Sequence, residues 1–315
     1  MTISTTIASW LVGGAVMAFS AALSVAPRTD RPPADMISAD PGPADTSFEA
    51  PRPVVLRGYA GDAMEPFVTR DGRWLLFNTR NGPRDQTDLM VARHDPDGGY
   101  SFIGPLAGAN SFMLDGVPSV DRRGNLLFVS NRDYDSSGNT LWTGKFADGK
   151  ATAVRPLASD FTPKRLLRLN IDLEVSGDGE TLYVAENRWD LLRGRPATST
   201  LAVATRVGAR FVRRPDSDAL MRAVNGAALA YAPATSDDQL TLYFTRWDAQ
   251  ASGAVPAIFV SRRRARTTAW SPPRRLAAAS GFVEGPTVLP GRCTIMYHAR
   301  VGEGYRLFTV KRRGC

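Results

Sequence analysis

The sequence predicts an all-β chain made of five copies of one four-stranded unit. Three observations carry this. Turn-formers are abundant, with 28 Gly and 22 Pro among 315 residues, and long apolar stripes at helical spacing are scarce after residue 30. A 17-residue pattern recurs without internal gaps: EPFVTRDGRWLLFNTRN from Glu65, VPSVDRRGNLLFVSNRD from Val117, DLEVSGDGETLYVAENR from Asp172, APATSDDQLTLYFTRWD from Ala232 and GPTVLPGRCTIMYHARV from Gly285. Further alternating β-like runs fill each interval before the next copy, the starts lying 52, 55, 60 and 53 residues apart.

The elements of the unit follow in order. Its first two strands form a hairpin. In the first copy the turn at Asp71-Gly72 separates a short β-like run from WLLFN. The third strand is DLMVARHD, TLWTGKFA, STLAVATR, AIFVSRRR and YRLFTVKRR in successive copies. The fourth, in copies one to four, is YSFIGPLAG, ATAVRPLAS, ARFVRRPDS and AWSPPRRLA. The fifth copy reaches Cys315 without a fourth strand. FEAPRPVVLRG, residues 48–58, shares the spacing of FIGPLAG and SPPRRLA and is expected to supply it. Four strands in up-and-down order are the content of one propeller blade. The fold class is therefore a five-bladed β-propeller of four-stranded antiparallel blades. An N-terminal strand closes it by completing the last blade, which removes exposed sheet edges. Six blades fit the repeat less well.

Residues 7–26 are an uncharged apolar run ending in small residues, with Ser24-Val25-Ala26 and Ser20-Ala21-Ala22 as cleavage patterns. The run is expected to export the chain, either as a cleaved signal peptide or as an uncleaved membrane anchor. Residues 27–50, rich in Pro, Asp and Ala, read as a flexible linker, and residues 51–315 as the propeller. The expected setting is periplasmic or secreted, the expected state a monomer. In an oxidising compartment Cys293 and Cys315 are expected to pair and staple the composite blade. The formal charge is +8, yet the basic runs at 261–266 and 311–313 lack interleaved aromatics and read as solvated hairpin tips, not a nucleic-acid surface. His94 and His298 are the only imidazoles, and no metal or cofactor is expected. Motifs of serine hydrolases, nucleotide-binding loops and zinc enzymes are absent.

The pattern Ser/Thr-x-Asp-Gly-x-x-Leu-x-Phe-x-Ser-x-Arg, as in TRDGRWLLFNTRN and VDRRGNLLFVSNRD, resembles the WD40-like PD40 repeat of TolB-type propellers over residues 51–315. The resemblance implies a periplasmic propeller.

Strand order places the segments entering each inner strand on one face with the loops between second and third strands, which vary most in length. The incoming segments bring Glu65, Asp115, Asp172, Glu174 and Glu284 to the inner mouth, and the outgoing loops begin with Arg80, Arg132, Arg188, Arg246 and Arg300. Trp189, Trp247 and Tyr134 stand beside three of these arginines, and His298 is the histidine projected to the same face. An alternating rim of carboxylates and guanidiniums suits a polar ligand, and flat rings suit sugars or peptide side chains. Each residue also has a scaffold reading: arginines tying blades together, aromatics packed between them, His298 in the core. The favoured function is a binding module for an envelope protein or glycan. The alternative is a carbohydrate-active hydrolase or lyase, with Glu65 and Asp172, or Asp115 and Glu284, as acid and base or acid and nucleophile.

Overall fold

The computed structural model describes residues 43–81, 86–161, 167–190 and 195–315. The expected leader and most of the expected linker lie outside the described residues, as do positions 82–85, 162–166 and 191–194. Five four-stranded antiparallel blades stand in a ring, two of them with an added outer strand. The inner strands are Met64–Val68, Asp115–Val120, Arg168–Val175, Leu229–Thr235 and Val283–Val288. Their partners are Trp74–Asn78, Asn125–Ser130, Thr181–Asp190, Thr241–Trp247 and Thr294–Val301, so each sequence repeat is the inner hairpin of one blade.

A blade is covered on both faces, so its middle strands carry continuous apolar runs instead of alternating ones. Leu75, Leu76 and Phe77 are successive and all fully buried. Apolar layers fill the gaps between neighbouring blades. Leu76 packs with Leu126 and Phe128, Leu127 with Leu182, and Tyr183 with Phe244. Tyr243 packs with Ile295 and Tyr297, and Phe77 with Met296 to close the ring. Each such side chain contributes about 1.5–3 kcal/mol on burial.

Closure is broader than one strand. Arg52–Pro53 pairs antiparallel with Gly304–Lys311 and is the fourth strand of blade five. The chain continues as Leu56–Arg57, parallel to Tyr100–Pro105 on the outside of blade one. Ahead of both, Ala44–Asp45 runs parallel to Arg274–Leu276 outside blade four, within the stretch read as linker. The N-terminal segment is thus a belt across three blades. Its Phe48 bridges to Arg312 and is buried between blades four and five. Cys293 and Cys315 are disulfide-bonded, with Cα atoms 5.8 Å apart, which pins the end of the chain to the same blade. Among the described residues no helix is long and apolar enough to cross a membrane.

One irregularity repeats. Every inner strand slips register against its partner near the start of the repeat. In Glu65-Pro66, Val117-Pro118, Ala232-Pro233 and Gly285-Pro286 the residue before proline takes φ of 46°, 54°, 48° and 60°. Proline has no N–H to give the ladder, and the pair bulges out to line the central shaft. Blade three lacks the proline, and its slip falls between Asn170 and Asp172.

Candidate functional site

The first residue of the repeat is acidic in blades one and three, where it is Glu65 and Asp172. One position earlier, blade five carries Glu284 and blade four Tyr231, whose hydroxyl donates to Glu284 Oε1. His298 joins the group from the second strand of blade five. The Glu65 N–H donates to its Nδ1 at 3.2 Å, so the ring proton lies on Nε2, 3.3 Å from Glu284 Oε2. His298 occupies the fourteenth position of its repeat. Its counterparts do the same service: Asn78 Oδ1 accepts the Val117 N–H at 3.0 Å, and Thr245 Oγ1 accepts the Gly285 N–H at 3.2 Å. This position caps the donor that the bulge frees in the next blade. Blade three has Ala185 there, and the Ala232 N–H bonds to the Asp172 carboxylate instead. Gly285, at positive φ, is the one residue that fits beneath Glu65, since a Cβ would collide with its carboxylate and with the His298 ring.

Burial governs the electrostatics. The Glu65 carboxyl is pushed up to about 8 by burial and by the charges of Asp172 and Glu284, with His298 pulling against them. Asp172 rises to about 7 by burial and the Glu284 charge, opposed by the Ala232 N–H. Glu284 rises to about 7 by burial, opposed by the Tyr231 hydrogen bond. The Tyr231 phenol is held well above its usual range and burial pushes the His298 imidazole down, so both are neutral near pH 7. A cluster of this kind holds protonated and ionised carboxyls together at neutral pH, which is what acid–base chemistry needs. Only Glu65 keeps appreciable contact with water, at 10% side-chain exposure against 2% for Glu284.

The other expected rim residues are placed differently. Glu174 lies two residues below Asp172 and serves the opposite end of the shaft. There it accepts from Arg70 at 3.2 Å and from the Thr235 N–H and hydroxyl at 3.0 and 3.1 Å. Asp115 is fully buried, paired with Arg132, and bonded by the Ser111 N–H and hydroxyl, so it stands apart from Glu284. Arg132 also stacks over Trp142 at 4.6 Å. Arg80 pairs with Asp62 at 2.6 Å and covers Tyr305, which ties blade one to blade five. Arg300 pairs with Glu303 at 3.3 Å, and Arg246 lies over Phe259 at 5.7 Å. Arg188 is exposed. Trp189 packs with Tyr134 and Leu169, and the Trp247 indole N–H donates to the Ala254 carbonyl at 3.0 Å; both rings are buried. Strand alternation turns these rings inward, beside arginines that face out. Tyr231 escaped sequence reasoning. The available signal was its register with Glu284, one residue ahead of the repeat.

No family model matches the sequence, and no curated protein does. Solved structures do match. BT0996, solved as an RGII complex, aligns with TM-score 0.53 at 11% identity, over 86% of this protein and 93% of that one. The catalytic domain of a GH62 α-L-arabinofuranosidase from Coprinopsis cinerea aligns with TM-score 0.52 at 13% identity, over 86% and 98%. A thermostable family-43 glycoside hydrolase aligns with TM-score 0.51 at 12% identity, over 84% and 92%. These likenesses establish the fold, a five-bladed propeller of the kind glycoside hydrolases use. They also correct the kinship expected from the repeat: the chain is not a TolB-type PD40 propeller, since no such model matches and these neighbours are glycoside hydrolase-type propellers. The Asp-Gly turn closes a hairpin by local turn chemistry and by itself identifies no family.

Proposed function

We propose that this chain is a carbohydrate-active propeller that hydrolyses a glycosidic bond with the axial carboxylates. One observation carries the reading: Glu65, Asp172 and Glu284, from three blades, meet on the axis with their proton affinities raised to about 8, 7 and 7. Glu65 is the acid. It holds its proton at neutral pH and gives it to the departing glycosidic oxygen. Asp172, whose ionised form is bonded by the Ala232 N–H, takes a proton from the attacking water. The water oxygen bonds to the anomeric carbon as the bond to the leaving oxygen breaks. Glu284, fixed by Tyr231 and His298, supplies the negative charge that keeps Glu65 protonated and favours a cationic sugar in the transition state.

The GH62 neighbour makes α-L-arabinofuranosides the first substrates to assay, and a glycan panel the next. Glu65→Gln and Asp172→Asn are expected to lower kcat by about 10²–10⁴-fold with the melting temperature kept. Turnover that survives both substitutions would sink these roles. A second reading, glycan binding without turnover through the loop-rich face, is favoured by the low exposure of Asp172 and Glu284. Retention on a glycan with no product distinguishes it. The Cys293–Cys315 disulfide supports an extracytoplasmic setting, as the apolar run at 7–26 does.

A further inference from the structure

Phe112 is 97% exposed and is the one aromatic among the exposed large apolar side chains of the described residues. A slack loop would let such a ring fold back onto the protein. This loop is held on both sides of the ring. The Asn110 side chain bonds both the N–H and the carbonyl of Leu89, at 2.9 and 3.0 Å. The buried Asp115 accepts the Ser111 N–H at 2.5 Å and its hydroxyl at 2.8 Å, and is itself clamped by Arg132. Gln86 Nε2 donates to the Ser111 carbonyl at 2.5 Å, the Met113 N–H to Ser111 Oγ at 3.2 Å, and the Leu114 N–H to Asn131 Oδ1 at 3.0 Å. The backbone flanking the ring is fixed while the ring stands in water.

Its place is as telling. The loop runs directly into Asp115–Val120, whose Val117 and Pro118 line the shaft with Glu65. Blade two stands between the blades that carry Glu65 and Asp172. We propose that Phe112 is a stacking platform for a sugar residue of the bound glycan beyond the bond that is cut, and that the Asp115–Arg132 pair is its mount. The proposal rests on the carbohydrate reading above. A sugar ring presents a face of C–H groups matched to one phenyl. A protein partner would need a contiguous interface of some 800 Å² per side. Met113 is half-buried and Leu114 buried, so the loop offers a single ring's area.

The test compares wild type with Phe112→Ala and Phe112→Trp on polymeric arabinan and on 4-nitrophenyl α-L-arabinofuranoside, a substrate too short to reach the platform. Affinity electrophoresis in gels containing arabinan or members of the glycan panel reads binding separately. Phe112→Ala is expected to raise KM and weaken gel retention on the polymer about 10-fold. The short substrate and the melting temperature should not change, and Phe112→Trp should restore the polymer parameters. Equal KM and retention for wild type and Phe112→Ala overturn the platform and leave the hydrolase reading standing. Retention lost with Phe112→Ala, with no turnover by wild type, supports the platform and overturns the hydrolase reading. Wild type that neither binds nor cleaves any glycan on the panel overturns both.

Discussion

At the residue scale, the axial carboxyls tie activity and stability to pH in opposite ways. For activity, Glu65 must keep its proton and Asp172 must lose its own, so kcat/KM should follow a bell with limbs near the site's values of about 8 and 7. For stability the sign follows from proton counting. The folded chain keeps a proton on Glu65 up to about 8, whereas an unfolded glutamate loses it near 4.5. The folded state therefore holds more protons across that window, and stability falls as pH rises through it. Thermal melts from pH 5 to 9 should show wild type losing stability on the order of 1–3 kcal/mol from this group. Glu65→Gln should flatten the slope. A variant as steep as wild type would mean that other groups set the pH dependence.

At the scale of the element, the proline bulge is the device that makes a site out of a scaffold. It breaks the strand's alternation and turns the first residue of the repeat toward the axis, and the fourteenth residue of the preceding blade caps the N–H so released. His298 performs this service and also donates to Glu284, and two variants separate the roles. Asn already caps a bulge at position 78, so His298→Asn should fold nearly as well as wild type while shifting the alkaline limb of the pH–rate profile, which Glu65 sets. His298→Ala should additionally lose about 1–3 kcal/mol in denaturant melts, the cost of an unpaired buried donor. Equal stability of the two would remove the capping role. The repeat, the hairpins and the loop-rich face were legible in the sequence, because turn chemistry and strand alternation are local. Depth along the axis was not. Glu174 follows Asp172 by two residues, which is about 7 Å of strand, enough to move it from the cluster to the Arg70 end. Nor was the pairing of Asp115 with Arg132 legible, since it depends on the register of one hairpin, which sets Asp115 opposite Ser130, two residues before Arg132.

At the scale of the whole molecule, the ring is held shut at blade five, where Arg52–Pro53 of the belt and the disulfide-bonded Cys315 converge. The disulfide encloses a loop across 22 residues and should contribute about 3 kcal/mol by the chain-entropy account. Cys315→Ser, or reduction of the native chain, should lower the melting temperature by on the order of 5–10 °C. An unchanged melt would show that the belt alone closes the ring. That belt has a mechanical consequence. A pull delivered through residues ahead of position 43 meets Ala44–Asp45 first, then the Phe48 anchor, then Arg52–Pro53 and Leu56–Arg57. The grips lie in series on three different blades, so tension is shed one latch at a time around the circumference before it reaches the inner hairpin of blade one, which begins only seven residues later at Met64 and carries Glu65.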